Sequence, residues 1–381
     1  MRIVIVGGGI GGLSAALALR REGFEPQVFE QAPALLEVGA GLAVWPNAMR
    51  VLSKLGVAEA VFERGGQLKR ARWLDSGGRV FKHFSFEEDD APAVALHRAD
   101  LQGALLRALP PDSLHLGKVV RGYECARKDV RADFADGESV NCDLLVGADG
   151  LHSRVRAQML GEERPVYRGY TVWRGITSLE HTALAPDTAT EIYGGGRRFG
   201  IGPVGRGRTG WWATANEAEE VEESASEHRG KLLRLFGGWC APVTELVEAT
   251  ATESILRTAT YDRAPVRPGG EKNVTLLGDA WHPLTPNLGQ GGCMALEDAA
   301  VLARCLAKCG DADRALRRYE ALRYARTATV VRYSRRYGAV GQWQSATAVR
   351  FRGALLSALP ERVGRSLLSW VFDYDAYGVD V

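Results

Sequence analysis

Three stretches of this chain concentrate residue types suited to gripping a phosphate or a flat ring. The first holds Gly7, Gly9 and Gly12 in the order G-x-G-x-x-G, inside "RIVIVGGGIGGLSAALALRREGFEPQVFE". The first glycine permits a tight turn. The second lets backbone amides approach a pyrophosphate, and the third lets a helix pack on its strand. That helix would aim its N-terminal amides and dipole at the phosphates. Glu30 follows about 20 residues on, where an acid meets ribose hydroxyls. The second stretch is "CDLLVGADGLHSRVR". A buried strand ends at Asp149–Gly150, with Ser153 as a helix cap and Arg154 beside it. The third is "LLGDAWHPLTPNLGQGGCMALEDA". Asp279 ends a strand, a proline-fixed loop follows, and Gly289, Gln290, Gly291 and Gly292 open a long helix. Missing side chains there let amides approach a ring, and the helix N-terminus favours negative charge. His282 in that loop reads as a base or proton relay, or more simply as a histidine bonded to backbone.

The elements that must carry these residues follow from pattern. Ile3–Val6 is a continuous apolar run, as a strand covered on both faces requires. Leu13–Arg21 is an Ala- and Leu-rich helix that Gly23 terminates. A glycine loop in "EVGAGLAVWPNAMRVLSKLG" leads to a helix from about Asn47 to Gly56. A hairpin is expected at Gly77–Gly78, and a helix capped near Asp100 in "HRADLQGALLRALP". From about Tyr167 to Ala264, Trp, Thr, Tyr and Gly alternate, which predicts a mainly antiparallel sheet with a helix at Ser224–Phe236. Gly205, Gly207 and Gly210 repeat the glycine spacing, but the strand-like "WWATA" follows them. They are read as a hairpin turn, so the chain has one dinucleotide fold. Ala295 to about Tyr337 is mostly helical. Arg317, Arg318, Arg323, Arg326, Arg332, Arg335 and Arg336 crowd it and are read as a solvated face rather than an anionic docking site. The amphipathic tail "FRGALLSALPERVGRSLLSWVF" is expected to pack on the body rather than enter a membrane.

Bulk properties narrow the class. The chain has 381 residues, 46% hydrophobic and 25% charged, and 48 basic against 46 acidic residues leave a net charge of +2. That balance gives no reason to expect nucleic acid or an acidic partner. No apolar run is long enough for a transmembrane helix, and the N-terminus opens on a strand pattern rather than a signal peptide. Cys125, Cys142, Cys240, Cys293, Cys305 and Cys309 form no C-x-x-C pair and complete no zinc spacing, so no metal is expected. Reduced thiols in the cytoplasm fit best.

Taken together, "GGGIGG" with Glu30, "GADGLHSRVR" and "GDAWHPLTPNLGQGG" resemble the class A flavoprotein monooxygenases, the p-hydroxybenzoate hydroxylase-like group. "HRADLQ", with Arg98 and Gln102, and the "GAGLAVWPNA" loop add to the likeness, which spans about residues 1–340. It implies an α/β fold: a Rossmann-like FAD-binding domain of the glutathione reductase type interleaved with a mainly antiparallel substrate sheet, plus C-terminal helices. The FAD-binding parts would be 1–75, 96–166 and 266–340, the substrate parts 76–95 and 167–265, and the helical tail 341–381. By that resemblance Gly7, Gly9, Gly12 and Glu30 hold the ADP half of a non-covalent FAD. Arg98, Gln102 and Asp279 hold the pyrophosphate and ribityl region, and Gly289, Gln290, Gly291 and Gly292 lie at the ring. Asp149, Gly150 and Arg154 belong to a motif linked to both FAD and NAD(P)H.

The implied activity is NAD(P)H- and O2-dependent oxygen transfer, through a flavin C4a-hydroperoxide, to a small electron-rich aromatic or N-heterocycle. NADH or NADPH would visit transiently, and the protein would be a monomer or homodimer. Alternatives are an epoxidase, oxidase or reductase acting on a polyene or polyprenoid, or a flavin-binding protein that sequesters an aromatic. The resemblance departs from the urate-hydroxylating branch at Gly210, where that branch's active-site tyrosine would stand. For the substrate, the strand period of two puts Arg198, Gly200 and Gly202 on one face, with Phe199 and Ile201 on the other. Arg198 is expected to present its donor fork there, over room left by the glycines. Arg174 and Trp212 are assigned to the same wall.

Overall fold

Ile3–Val6 is buried at every residue because parallel strands flank it on both sides and its side chains pack into a core that includes the helix Ile10–Arg21 and the three-stranded antiparallel sheet of Val120–Cys125, Val130–Phe134 and Ser139–Cys142. Val274–Leu276, Leu144–Gly147, Ile3–Val6, Gln27–Phe29 and Leu114–His115 lie side by side in that order, all parallel. The computed structural model describes residues 1–35, 40–86, 91–126, 129–219, 223–268, 272–358, 360 and 368–381. The start of the "EVGAGL" loop and residues 359 and 361–367 of the amphipathic tail lie outside the described residues. The parallel arrangement brings the three chemical stretches to one edge. Strands ending at Val6, Phe29, Gly147 and Leu276 lead directly to Gly7, Glu30, Asp149 and Asp279.

A second, seven-stranded sheet runs Leu256–Asp262, Val166–Thr177, Thr209–Asn216, Arg197–Pro203, Thr188–Tyr193, Arg70–Asp75, Val80–Ser85. Its neighbours are antiparallel except for Thr188–Tyr193 with Arg70–Asp75. One face packs Trp173, Phe199, Ile201 and Trp211 against the helices His228–Phe236 and Val243–Ala249. The other faces the first domain. This is the α/β fold with an interleaved sheet and C-terminal helices that the motifs imply.

Four local readings are corrected. Arg70–Asp75 pairs into the large sheet, so that sheet begins before residue 76. Ala93–His97 instead pairs with Gly41–Val44 and Gly66–Leu68 in a small sheet of its own. The helix Arg98–Arg107 is capped by His97, whose Nδ1 accepts from the Ala99 amide at 3.1 Å, and not by Asp100. The Ser224–Phe236 segment starts as a 3-10 turn closed by a Ser224–Glu227 capping box, and only His228–Phe236 is α-helical. Of the arginines on the 30-residue helix Ala312–Gly341, Arg318, Arg332 and Arg336 are exposed as expected, but Arg323, Arg326 and Arg335 are not part of a solvated face. Arg323 is fully buried, 2.6 Å from Asp298 and 2.8 Å from Glu297. Arg326 also pairs with Glu297, and Arg335 with Asp262.

That helix ties the two sheets together. Near its start Tyr319 Oη donates to Leu276 O at 3.0 Å, on the parallel sheet. Near its end Tyr337 Oη lies 2.6 Å from Tyr193 Oη, on the large sheet. Between them sits Asp298, which accepts from the Gly278 amide at 3.0 Å, from Arg323 Nε at 2.6 Å, and lies 2.6 Å from His282 Nε2. Burial by itself raises the Asp298 carboxyl, yet His282 and Arg323 hold it at about 2. A carboxyl depressed in the fold stabilises above the ordinary aspartate value of about 3.9, and that contribution is lost as pH falls from there toward 2. Asp298→Asn leaves Arg323 buried with one partner fewer. It is expected to cost about 3–5 kcal/mol. Thermal melts should show the variant well below the parent at pH 7, with the gap closing under acid. A gap independent of pH contradicts this assignment.

Candidate active site

A cavity of about 710 Å³ runs from the edge of the parallel sheet to the inner face of the large sheet. Its first end is built from backbone. Gly7 sits at φ +111°, and a Cβ there would stand 2.4 Å from Ala148 O. A Cβ on Gly12 would lie 1.8 Å from Gly7 O, so the helix Ile10–Arg21 packs this close only with glycine. Gly9 differs: a Cβ there meets nothing within 4 Å, because the residue borders the cavity. Gln102 Nε2 donates to Gly8 O at 2.8 Å, and Glu30 accepts from the Gly8 amide at 2.6 Å. The two side chains hold the glycine turn from opposite sides.

Two helix N-termini point into this end. Neither Ile10–Arg21 nor Gly291–Lys308 has a side-chain cap or an acid in its first turn. Uncapped amides and two converging dipoles make a seat for an anionic group. Asp279 projects into the same space. Burial raises its carboxyl, and nearby His282 and Arg98 pull it back. Asp149 accepts from the amides of Arg154 at 2.8 Å and Val155 at 3.3 Å, while its Oδ1 is buried without a partner among the described residues. Burial raises this carboxyl too. Gly289, at φ +62°, turns the chain beneath Trp45 Nε1, which a Cβ would approach to 2.8 Å. Gln290 is buried behind the loop, accepting from Asn47 Nδ2 at 3.0 Å, with its own Nε2 unpartnered among the described residues. Open glycine edges, two bare helix ends and orphaned polar atoms together fit a long dinucleotide ending in a flat ring.

The second end is a side-chain wall. Arg174, Trp212, Gly200, Glu191 and Trp73 form one cross-strand row. The alternation expected for "RRFGIGPV" holds, with Phe199 and Ile201 in the opposite core. Gly200 leaves no vacancy, however, because the Trp212 indole lies over it and a Cβ would come within 2.1 Å. Only Gly202 faces open space. The donor fork of Arg198 is also spent on protein. Nε donates to Gln342 Oε1 at 3.0 Å, Nη1 to Glu191 Oε1 at 3.0 Å, and Nη2 to Asn287 Oδ1 at 2.6 Å. Its guanidinium sits 5.4 Å from the Trp212 ring. Arg198 borders the cavity, but with its three nitrogens bonded to protein and Glu191 as its counter-charge the side chain is almost wholly buried.

His282 and Arg154 do not line this cavity. His282 is 3% exposed, and its Nε2 lies 2.6 Å from the buried Asp298 carboxylate. Arg154 opens an exposed helix start. Sequence reasoning missed Asn287, Tyr170, Glu191, Tyr337 and the aromatic wall Trp45–Phe86–Phe372. Trp45 stacks on Phe372 at 4.6 Å, across more than 300 residues of chain, and no local pattern announces such a contact.

Gly9→Asp is expected to abolish FAD retention, since a carboxylate would enter the open groove. Gly207→Asp, in the hairpin turn, should leave it intact; the opposite pair of results would assign the site to the wrong glycines. Asp279→Ala should weaken FAD binding about tenfold or more, the value of one charge-assisted hydrogen bond. An unchanged flavin titration would remove Asp279 from the site.

Residues 1–334 match the family described as FAD binding domain. The chain is 43% identical over 360 residues to an aurachin C monooxygenase/isomerase of Stigmatella aurantiaca, covering 93% of this chain and 94% of that one. It is 36% identical to an FAD-dependent urate hydroxylase of Klebsiella pneumoniae over 88% and 89% of the two chains. The crystal structure of Klebsiella pneumoniae HpxO complexed with FAD and uric acid superposes with a TM-score of 0.92, at 32% identity, covering 98% and 96%. With the glycine turn, the bare helix ends and the Asp279 loop in place, these likenesses make the chain a member of the FAD binding domain family and an FAD-dependent monooxygenase.

Proposed function

We propose that this enzyme takes electrons from NADH or NADPH and transfers one oxygen atom of O2 to a small electron-rich aromatic or N-heterocyclic substrate. The second oxygen leaves as water. The observation that carries this reading is the single cavity joining the anion-seating helix ends to the Arg174–Trp212 wall. When bound, FAD supplies hydride acceptance and dioxygen activation. The chain does the rest. Gly9, Arg98 and Asp279, which line the cavity, would hold the nucleotide and ribityl region, and the amides at Gly291 and Gly292 would receive the ring. Trp45, Phe86 and Phe372 exclude water, which keeps oxygen transfer from decaying to peroxide. Arg198 is a positioning residue: through Asn287 it ties the substrate wall to the Pro286–Leu288 turn just before Gly289. Urate is not the substrate we favour. Gly210 stands on the wall, and a Cβ there would already meet Val204 Cγ1 at 2.7 Å, so a tyrosine has no room.

A second reading rests on the Stigmatella aurantiaca relative, whose name couples monooxygenation to isomerisation. Under it the oxygenated product rearranges before release and is recovered as an isomer of the simple adduct. The cytoplasm is the proposed site of action, in keeping with six cysteines that form no disulfide. A monomer or homodimer is proposed.

The test is a screen of aromatic compounds scored by NAD(P)H consumption against peroxide release, with ¹⁸O2 labelling of products. One labelled oxygen per NAD(P)H is expected for a true substrate. NAD(P)H oxidation without label in any product would leave only an oxidase. With a coupled substrate in hand, Arg198→Met should raise KM and divert oxygen to peroxide while FAD content stays normal.

A further inference from the structure

Two arginines stand on the substrate wall, and only one is neutralised. Arg198 gives all three nitrogens to protein acceptors and has Glu191 as its counter-charge. Tyr337 Oη also reaches Glu191, at 3.3 Å, so that carboxylate is spent locally. Arg174 is different. It projects from the strand Val166–Thr177 into the cavity, directly across from Trp212. Its hydrogen bond is Nη1 to Thr258 Oγ1 at 3.3 Å, a neutral and distant acceptor. The groups around it are Leu256 and Thr258 on one neighbouring strand, Trp212 on the other, and Val172 and Tyr170 along its own. Among the described residues no carboxylate lies within ion-pair reach. Glu191 is three strands away, about 14 Å at the usual strand spacing. Asp279 belongs to the cofactor end.

A guanidinium cannot shed its proton in a protein. Arg174 is half-buried; that burial disfavours its charge, Tyr170 partly offsets it, and among the described residues no carboxylate does. A cation left this way on the wall of a cavity wants an anion from outside the chain. Its fork is free to take two oxygens or one oxygen at close range. Beside it the Trp212 indole offers a flat apolar surface, and the bare edge of Gly202 leaves open space further along the sheet.

We propose that Arg174 is the residue that selects the substrate, by pairing with an anionic oxygen (a carboxylate or a ring oxyanion) on a flat aromatic whose ring lies along Trp212. The proposal rests on the reading that this wall receives the substrate. It moves the recognising charge from Arg198, which is already compensated, to Arg174, which is not.

The test uses binding and not turnover. The FAD-loaded protein is titrated with 2-naphthoate and with its neutral isostere 2-naphthamide, following the visible absorption of the flavin. The naphthoate should bind roughly tenfold or more tightly, as one charge-assisted pair implies. In Arg174→Met the two should bind within about twofold of each other, the charge pair being absent. Arg174→Lys keeps the charge without the planar fork, and should keep a reduced preference. The lysine variant and the wild-type comparison decide the matter even where the methionine variant fails to retain FAD. Equal binding of both probes by the parent overturns the proposal, as does the absence of any naphthoate-induced change. Loss of the preference in Arg198→Met with retention in Arg174→Met overturns it too. Failure of oxygen labelling would strike the monooxygenation reading and leave these binding results untouched.

Discussion

The architecture depends on one buried carboxylate. Asp298 receives the Gly278 amide, Arg323 and His282, and through them fixes the loop that carries Asp279 and the turn at Gly289. The strand Val274–Leu276, the helix Gly291–Lys308 and the helix Ala312–Gly341 meet at this point. A buried ion that lost its partners would cost several kcal/mol, so the three elements cannot drift independently. The arrangement extends outward. Glu297, the residue before, takes Arg323 and Arg326, and Arg326 in turn donates to the carbonyls of Trp370 and Val371 at 2.8 Å. The C-terminal segment bearing Phe372 is thereby held against Trp45, where it closes the cavity.

The cavity has two chemistries because its two ends come from two kinds of sheet. At the parallel sheet, strand ends deliver backbone amides and short acidic side chains, and helix N-termini face the same space. That end is tuned by what is missing: side chains at Gly9, Gly291 and Gly292. At the large sheet, alternate residues of each strand face inward. That end is tuned by what is present: aromatic rings and guanidinium groups. Asn287 joins the ends. It accepts from Arg198 at 2.6 Å and donates to Tyr170, Thr285 and the Ser334 carbonyl. A shift of the substrate wall is therefore felt at the loop beside the ring.

Charge on the wall is divided unequally. Glu191, Tyr193 and Tyr337 surround Arg198, and burial pushes both phenols far up, so they stay neutral donors. The resulting cluster has no net charge to offer. Arg174, a few strands away, has none of these partners. Two arginines of similar exposure in the sequence pattern thus differ completely in what they can do for a ligand.

That difference marks the limit of what the sequence alone determined. The glycine turn, the second-strand acid, the "GADG" corner and the "GDAWHPLTPNLGQGG" loop were legible because each is a local requirement. A positive φ, a helix packed at contact distance or a strand-end acid must be written in adjacent residues. The inward and outward faces of "RRFGIGPV" were legible for the same reason, since strand alternation is local. The helix start at His97 was misread because Asp100 is the better cap by type, while the structure uses the residue placed where the chain turns. Arg323, Arg326 and Arg335 were misread because a helical pattern does not reveal that Glu297, Asp298 and Asp262 lie across from them. Trp212 filling the space above Gly200, and Glu191 consuming the fork of Arg198, were likewise decided only by the tertiary structure. Counter-charges and packing partners are chosen in space, and residues far apart in the chain leave no periodic trace of having met.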